Sequence, residues 1–99
     1  MITRAAVKID FYIHNCIQEI IIPCHRHCDA FQILRDFGFK KNVDFREKEQ
    51  GFLNEKGEFL TRVEAMKEAI SCHQLLDSFI EQHIEDECPP TILYSEDIW

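Results

Sequence analysis

Residues 5 to 13 alternate cleanly: Ala5, Val7, Ile9, Phe11 and Ile13 share one side, and Ala6, Lys8, Asp10, Tyr12 and His14 the other. Period two means a strand with one face buried. The apolar run from Cys16 to Ile22 reads as the returning strand, and Asn15, which tolerates positive φ, makes His14-Asn15 a tight turn. The chain therefore opens on a β-hairpin, whose second strand is expected to end at Pro23. A half-buried hairpin needs a covering layer, so the rest of the chain must supply helices or a second sheet.

Helical spacing supplies the first option. Asp29, with Gln32 three residues on, is placed to cap a helix whose buried stripe is Ala30, Phe31, Leu34 and Phe37, stopped by Gly38. The polar stretch from Lys40 to Gln50 reads as loop, with a short strand near Val43 to Phe45. Gly51-Phe52-Leu53 and Glu58-Phe59-Leu60 flank Asn54-Glu55-Lys56-Gly57, a second and shorter hairpin. Thr61 with Glu64 is a capping box. Behind it Val63, Met66 and Ile70 form a stripe that continues through Leu76, Phe79, Ile80 and Ile84, so one long helix or two abutting ones fit residues 62–84. Ile92-Leu93-Tyr94 reads as a last strand. The expected fold is α+β and a single domain over residues 1–99. A small antiparallel sheet (both hairpins and the C-terminal strand) packs with two or three helices.

At 99 residues the chain buries only about 60–65% of its unfolded surface, which makes oligomerisation a natural remedy for a thin core. No apolar run approaches the roughly 18–20 residues of a membrane span. Met1-Ile2-Thr3-Arg4 lacks the apolar region of a signal peptide, so the cytoplasm is the expected compartment. Five cysteines, an odd number, fit reduced thiols there better than a disulfide framework. The net charge of -7 excludes an extended nucleic-acid groove but leaves room for a small anion, which needs only two or three cations.

Cys24, His25, His27 and Cys28 are soft donors crowded into one segment. A zinc site would need a second pair, from His14 and Cys16 or from Cys88, and the spacing does not provide one. A thiol nucleophile activated by a neighbouring His is a second reading, and no local motif marks which Cys it would be. No metal or cofactor is expected. A third reading uses Arg26 and His27 at a helix start, where unpaired N–H groups favour an anion and a guanidinium can grip phosphate bidentately. Phe52, beside Gly51, could offer a flat face to a purine or could belong to the core. Arg62 is oddly placed at the first turn of a helix and is either solvated or answers an anion. Glu96 and Asp97 could accept hydrogen bonds from ribose hydroxyls or an adenine amino group, or be surface charges. Trp99 implies a tail that is packed down.

Taken in order, Arg26-His27, the run from Gly51-Phe52-Leu53 to Arg62-Val63-Glu64-Ala65, Gln74, and Leu93-Tyr94-Ser95-Glu96-Asp97-Ile98-Trp99 resemble a family of small phage-encoded proteins. That pattern is similar to the phage anti-Thoeris sponges, which trap the cyclic ADP-ribose signal of host defence enzymes and hold it uncleaved. The resemblance spans nearly the whole chain. It implies a non-enzymatic protein that sequesters a cyclic nucleotide (a cyclic ADP-ribose isomer or a cyclic oligonucleotide) in the infected bacterial cytoplasm, as a dimer or larger homo-oligomer. It implies a ligand site drawing on Arg26, His27, Phe52, Arg62, Gln74, Ser95, Glu96 and Asp97. By position, Arg26 and Arg62 would meet phosphate, Phe52 would stack a base, and the tail would frame the pocket. The chain departs from the family at His73, where Gly usually precedes the Gln, and in a longer, more acidic segment from Leu75 to Pro90. Two other functions compete: an acidic inhibitor that binds a host protein through Glu81 to Glu87, and a hydrolase of the same signal using the Cys/His cluster.

Overall fold

The computed structural model describes residues 1–99. Strands β1 (Ile2–Ile13) and β2 (Cys16–Cys24) form the opening hairpin, followed by α1 (His27–Asp36), β3 (Phe45–Asn54), β4 (Phe59–Thr61), α2 (Arg62–Ser71), α3 (Asp77–His83) and a 3-10 turn at Ser95–Asp97. The strands make one antiparallel sheet in the order β2-β1-β3-β4. The fold is α+β, as the patterns imply. No helix is long and apolar enough to cross a membrane.

The hairpin turn follows from its two residues. His14 and Asn15 have φ of 48° and 66°, the left-handed pair that a two-residue turn requires, and Ile13 pairs with Cys16 across it. Pro23 does not end β2. It pairs with Ala6 inside the strand, and because β2 lies at the sheet edge its missing N–H falls on the open side, where no ladder bond is lost.

The long β3 is the largest departure from the expected loop over residues 40–50. Arg46-Glu47-Lys48-Glu49-Gln50 shows no alternation, yet it pairs with β1 from Phe11↔Phe45 up to Ala6↔Gly51. A register shift between Lys8 and Ile9 breaks the parity of the strand, which blurs any period-two signal. Here the neighbour's hydrogen bonds dictate the strand, not its own burial. The expected C-terminal strand at Ile92 to Tyr94 does not form. That segment is irregular and docks on α2 through the Leu93 N–H, which donates to the Arg62 carbonyl at 3.1 Å.

Each helix deviates in a way its residues explain. α1 starts at His27 with Arg26 as its N-cap, so Asp29 sits inside the first turn and accepts the Arg26 N–H at 3.2 Å instead of capping the helix itself. Ala30 and Leu34 are buried, but the helix ends before Phe37, which is left 77% exposed, and Gly38 (φ 87°) closes it. The Thr61–Glu64 capping box forms in both directions, at 3.2 and 3.0 Å. The buried face of α2 is Ala65, Met66 and Ala69, while Val63 and Ile70 are about half exposed. The small alanines let the helix lie close to Phe52 and Ile2, so Met66 keeps its expected place in the core while Val63 and Ile70 turn away from it. Of the two helical arrangements open over residues 62–84, two separate helices form. The break falls at His73, which stands at φ 54° where a Gly would be unstrained.

Two apolar clusters share the inner face of the sheet. One gathers Ile2, Ala5, Phe52, Ala65, Met66, Ala69, Leu93 and Ile98. The other gathers Val7, Ile9, Ala30, Leu34 and Phe45, and Cys24 packs against both. On the outer face Gly51 is overlaid by the Phe59 ring. A Cβ there would lie 2.5 Å from Phe59 Cζ and closer still to the Leu60 carbonyl oxygen of the paired strand. Gly51→Ala should therefore cost roughly 1–3 kcal/mol, since backbone is the obstacle. Urea denaturation of the two proteins measures it, and a loss below about 0.5 kcal/mol, the range of neutral surface changes, would mean that β4 shifts freely.

Candidate functional site

The N-terminal end of α1 is where most of the chemistry-bearing side chains meet. His27 is buried, and its Nε2 lies 2.7 Å from the Gly51 carbonyl oxygen, so that nitrogen carries the proton and donates. Its ring stands edge-on to Phe52, with centroids 5.1 Å apart. Burial pushes the His27 pKa below the ordinary histidine value, and the positive charge of Arg62 acts in the same direction. The hydrogen bond to Gly51 and the charges of Glu96 and Glu47 oppose the shift without reversing it.

The tail closes over this group. Leu93, Ser95 and Ile98 are buried, and the Trp99 N–H donates to the Ser95 carbonyl at 3.1 Å. The indole of Trp99 stacks on His25 (5.2 Å, 28°) and leans on Phe52 at 6.3 Å. Arg26 fixes the end of the tail by donating from Nη2 to the Trp99 main-chain oxygen at 2.7 Å. Its other terminal nitrogen, Nη1, is buried with no hydrogen-bond partner, an uncommon state for a guanidinium donor. Beside the indole is a cleft of about 280 Å³ lined by Thr3, Arg4, Pro23, Cys24, His25 and Trp99.

The eight site residues named from sequence divide into groups. Arg26, His27 and Phe52 come together as expected, but the stacking face expected of Phe52 is not available: the ring is fully buried in the core. Arg26 is half-buried and tied to the tail, not a free surface residue. Arg62 is engaged as well. Its Nη1 donates to the Leu93 carbonyl at 2.6 Å, its Nη2 to Gln50 Oε1 at 2.5 Å, and its guanidinium lies 4.8 Å over the Tyr94 ring. Gln74 works as a local strand mimic, accepting the Ile2 N–H at 2.7 Å and donating to the Ile2 carbonyl at 2.8 Å. Asp97 accepts the Tyr94 N–H at 2.9 Å, and burial raises its pKa above the ordinary aspartate value. Glu96 is exposed. Three of these positions (Arg62, Ser95 and Asp97) thus spend their polar groups or their burial on seating the tail, and Gln74 holds the start of β1.

Sequence reasoning missed Arg4 and Thr3, and it read His25 only as a metal or base candidate. A signal existed. The two-residue turn sets the hairpin register at Ile13↔Cys16, and counting back to Ala5↔Cys24 leaves Arg4 beside His25. No three His, Cys, Asp or Glu side chains gather at one point. Burial pushes the Cys24 thiol up to about 11.

A family model described as Phage T4 y16D protein matches residues 1–99, the whole chain. No curated protein and no solved structure matches it.

The lowered pKa of His27 makes stability depend on pH in a definite direction. The unfolded chain takes up this proton near pH 6.5, while the folded protein resists it to lower pH. Between those values the unfolded state binds more protons, so stability falls as pH falls, by at most about 1.4 kcal/mol per pH unit for one group. Denaturant titrations at pH 7.5 and pH 5.5 should show this loss in the parent and a smaller one in His27→Gln. Equal losses in both proteins would remove His27 as the cause.

Proposed function

We propose that this protein, which belongs to the phage T4 y16D protein family, captures a small phosphate-bearing nucleotide and withholds it uncleaved, as a phage anti-defence protein. The observation that carries this reading is the chemistry of the Trp99 cleft. A chain with net charge -7 places Arg4 beside a stacked Trp99–His25 aromatic pair, with the under-satisfied Arg26 behind it. Stacking of a base on an aromatic contributes about 1–3 kcal/mol, and a guanidinium supplies the charge-assisted contact a phosphate needs. The ligand class this favours is a cyclic nucleotide signal, either a cyclic ADP-ribose isomer or a cyclic oligonucleotide, in keeping with the resemblance carried by the Gly51–Ala65 and Leu93–Trp99 segments.

Sequestration is favoured over hydrolysis because the cleft lacks an activated nucleophile. Cys24, the thiol that lines it, is held protonated at neutral pH. Direct binding to a host protein has one supporting observation of its own: Ile80 and Ile84 are 46% and 74% exposed among the acidic residues from Asp77 to Glu87.

Calorimetric titration with cyclic ADP-ribose isomers and cyclic dinucleotides tests the proposal, followed by denaturation and chromatography of what is released. Binding with recovery of intact ligand is expected. Arg4→Ala should weaken it about ten-fold or more, the value of one charge-assisted contact, and should leave stability within about 0.5 kcal/mol because Arg4 is exposed. Arg26→Ala should weaken binding and also destabilise the fold, since it releases the Trp99 oxygen. Altered product would favour the hydrolase, and an absence of binding across the panel would sink the reading.

A further inference from the structure

β2 is an open sheet edge, and the hairpin register states which of its backbone groups are free. Ile13 and Cys16 flank a two-residue turn and so exchange hydrogen bonds with each other. By alternation Cys16, Gln18, Ile20, Ile22 and Cys24 turn their N–H and C=O groups toward β1, while Ile17, Glu19, Ile21 and Pro23 turn theirs outward. The Tyr12 N–H agrees with this parity, since it points away from β2 and donates to the Asp44 carbonyl at 2.9 Å. The free edge therefore presents three donors, on Ile17, Glu19 and Ile21, and stops at the proline.

We propose that two copies of this chain pair antiparallel along β2, about a two-fold axis at Ile20, to form one continuous sheet. In this register the Ile17, Glu19 and Ile21 amides of one copy meet the Pro23, Ile21 and Glu19 carbonyls of the other. Every outward donor is satisfied, and Pro23 acts only as an acceptor. Centring on Glu19 would instead set two carboxylates directly opposite, which is unfavourable. Charge favours the seam as well. Glu19 is the one ionised side chain between Cys16 and Cys24, and it is already neutralised by Lys48, with Lys8 4.0 Å away. The densest acidic run of the chain, Glu81 to Glu87, lies outside this seam. Ile17 and Ile21, 68% and 38% exposed, gain cover on the outer face. A seam of one strand a side falls short of the roughly 20–30 residues of a standard interface, so the dimer should be micromolar and not nanomolar.

The register has a consequence that can be read chemically. Cys16 and Cys24 lie equally far on either side of Ile20, so Cys16 of each copy faces Cys24 of the other. Both sit at positions whose backbone bonds point the other way, the pairs in which side chains come closest. This inference does not depend on the ligand reading.

The test is sedimentation equilibrium of the full chain under reducing conditions, together with diamide oxidation and peptide mapping. A concentration-dependent dimer is expected, with diamide joining Cys16 to Cys24 between copies. Ile17→Lys with Ile21→Lys, both at exposed positions, should weaken dimerisation at least ten-fold while circular dichroism stays unchanged. In a variant with all five cysteines replaced by serine, Ile20→Cys should cross-link to itself and Ile21→Cys should not. A monomer at hundreds of micromolar (far above the expected constant), a dimer indifferent to the lysines, or cross-links through Cys72 or Cys88 alone would overturn the proposal.

Discussion

The pairing of β1 along both edges, with β2 over Ala5 to Ile13 and with β3 over Ile2 to Phe11, decides where apolar cover can lie. Its inner face contributes Ile2 and Ala5 to one cluster and Val7 and Ile9 to the other, all essentially without exposure. α1 covers the β2 side and α2 the β3–β4 side. The gap between the two helices is where His27 reaches the Gly51 carbonyl and where the tail descends. The site region is therefore a by-product of how two helices share one central strand, not a feature of any single motif.

What could be read from the residues were the local devices, in which a few adjacent atoms determine the geometry. His14-Asn15 as a turn, Gly57 at φ 77°, Gly38 as a helix stop and the Thr61–Glu64 box are all of that kind. What could not be read depended on partners far along the chain. The strand at Arg46 to Gln50 exists because β1 offers it hydrogen bonds. The buried face of α2 is Met66 flanked by Ala65 and Ala69 because Phe52 already fills the space there, so counting large apolar residues finds Met66 but also picks out Val63 and Ile70, which stay half exposed. The same division holds in the site. Arg26 and His27 are neighbours in sequence and His27 does meet Phe52, whereas the polar groups of Arg62 and Gln74, which the sequence leaves free for a ligand, are hydrogen-bonded to Leu93, Gln50 and Ile2.

Arg4 and His25 meet at the Trp99 cleft despite the acidic total of the chain. Several carboxylates are bound to specific partners: Glu64 to the Thr61 amide, Asp97 to the Tyr94 amide, Glu19 to Lys48. Arg4 and His25 come together because the register of a two-residue turn carries the start of β1 to the end of β2. A basic patch of this kind leaves no run in the sequence, which is why composition points away from it.

The tail that completes the cleft is held differently from the rest of the molecule. Leu93 and Ile98 insert into the first cluster, but no ladder of strand hydrogen bonds secures residues 91–99. Its main fastenings are the Leu93 exchange with Arg62, the Leu76 N–H to the Asp97 carbonyl at 2.9 Å, and the Arg26 contact. Segments fastened by few bonds open well below the free energy of global unfolding. The wall of the cleft would then detach as a unit while the sheet persists. If a ligand is held on Trp99 as proposed, its release needs no hinged lid, because the tail that carries the indole lifts by itself.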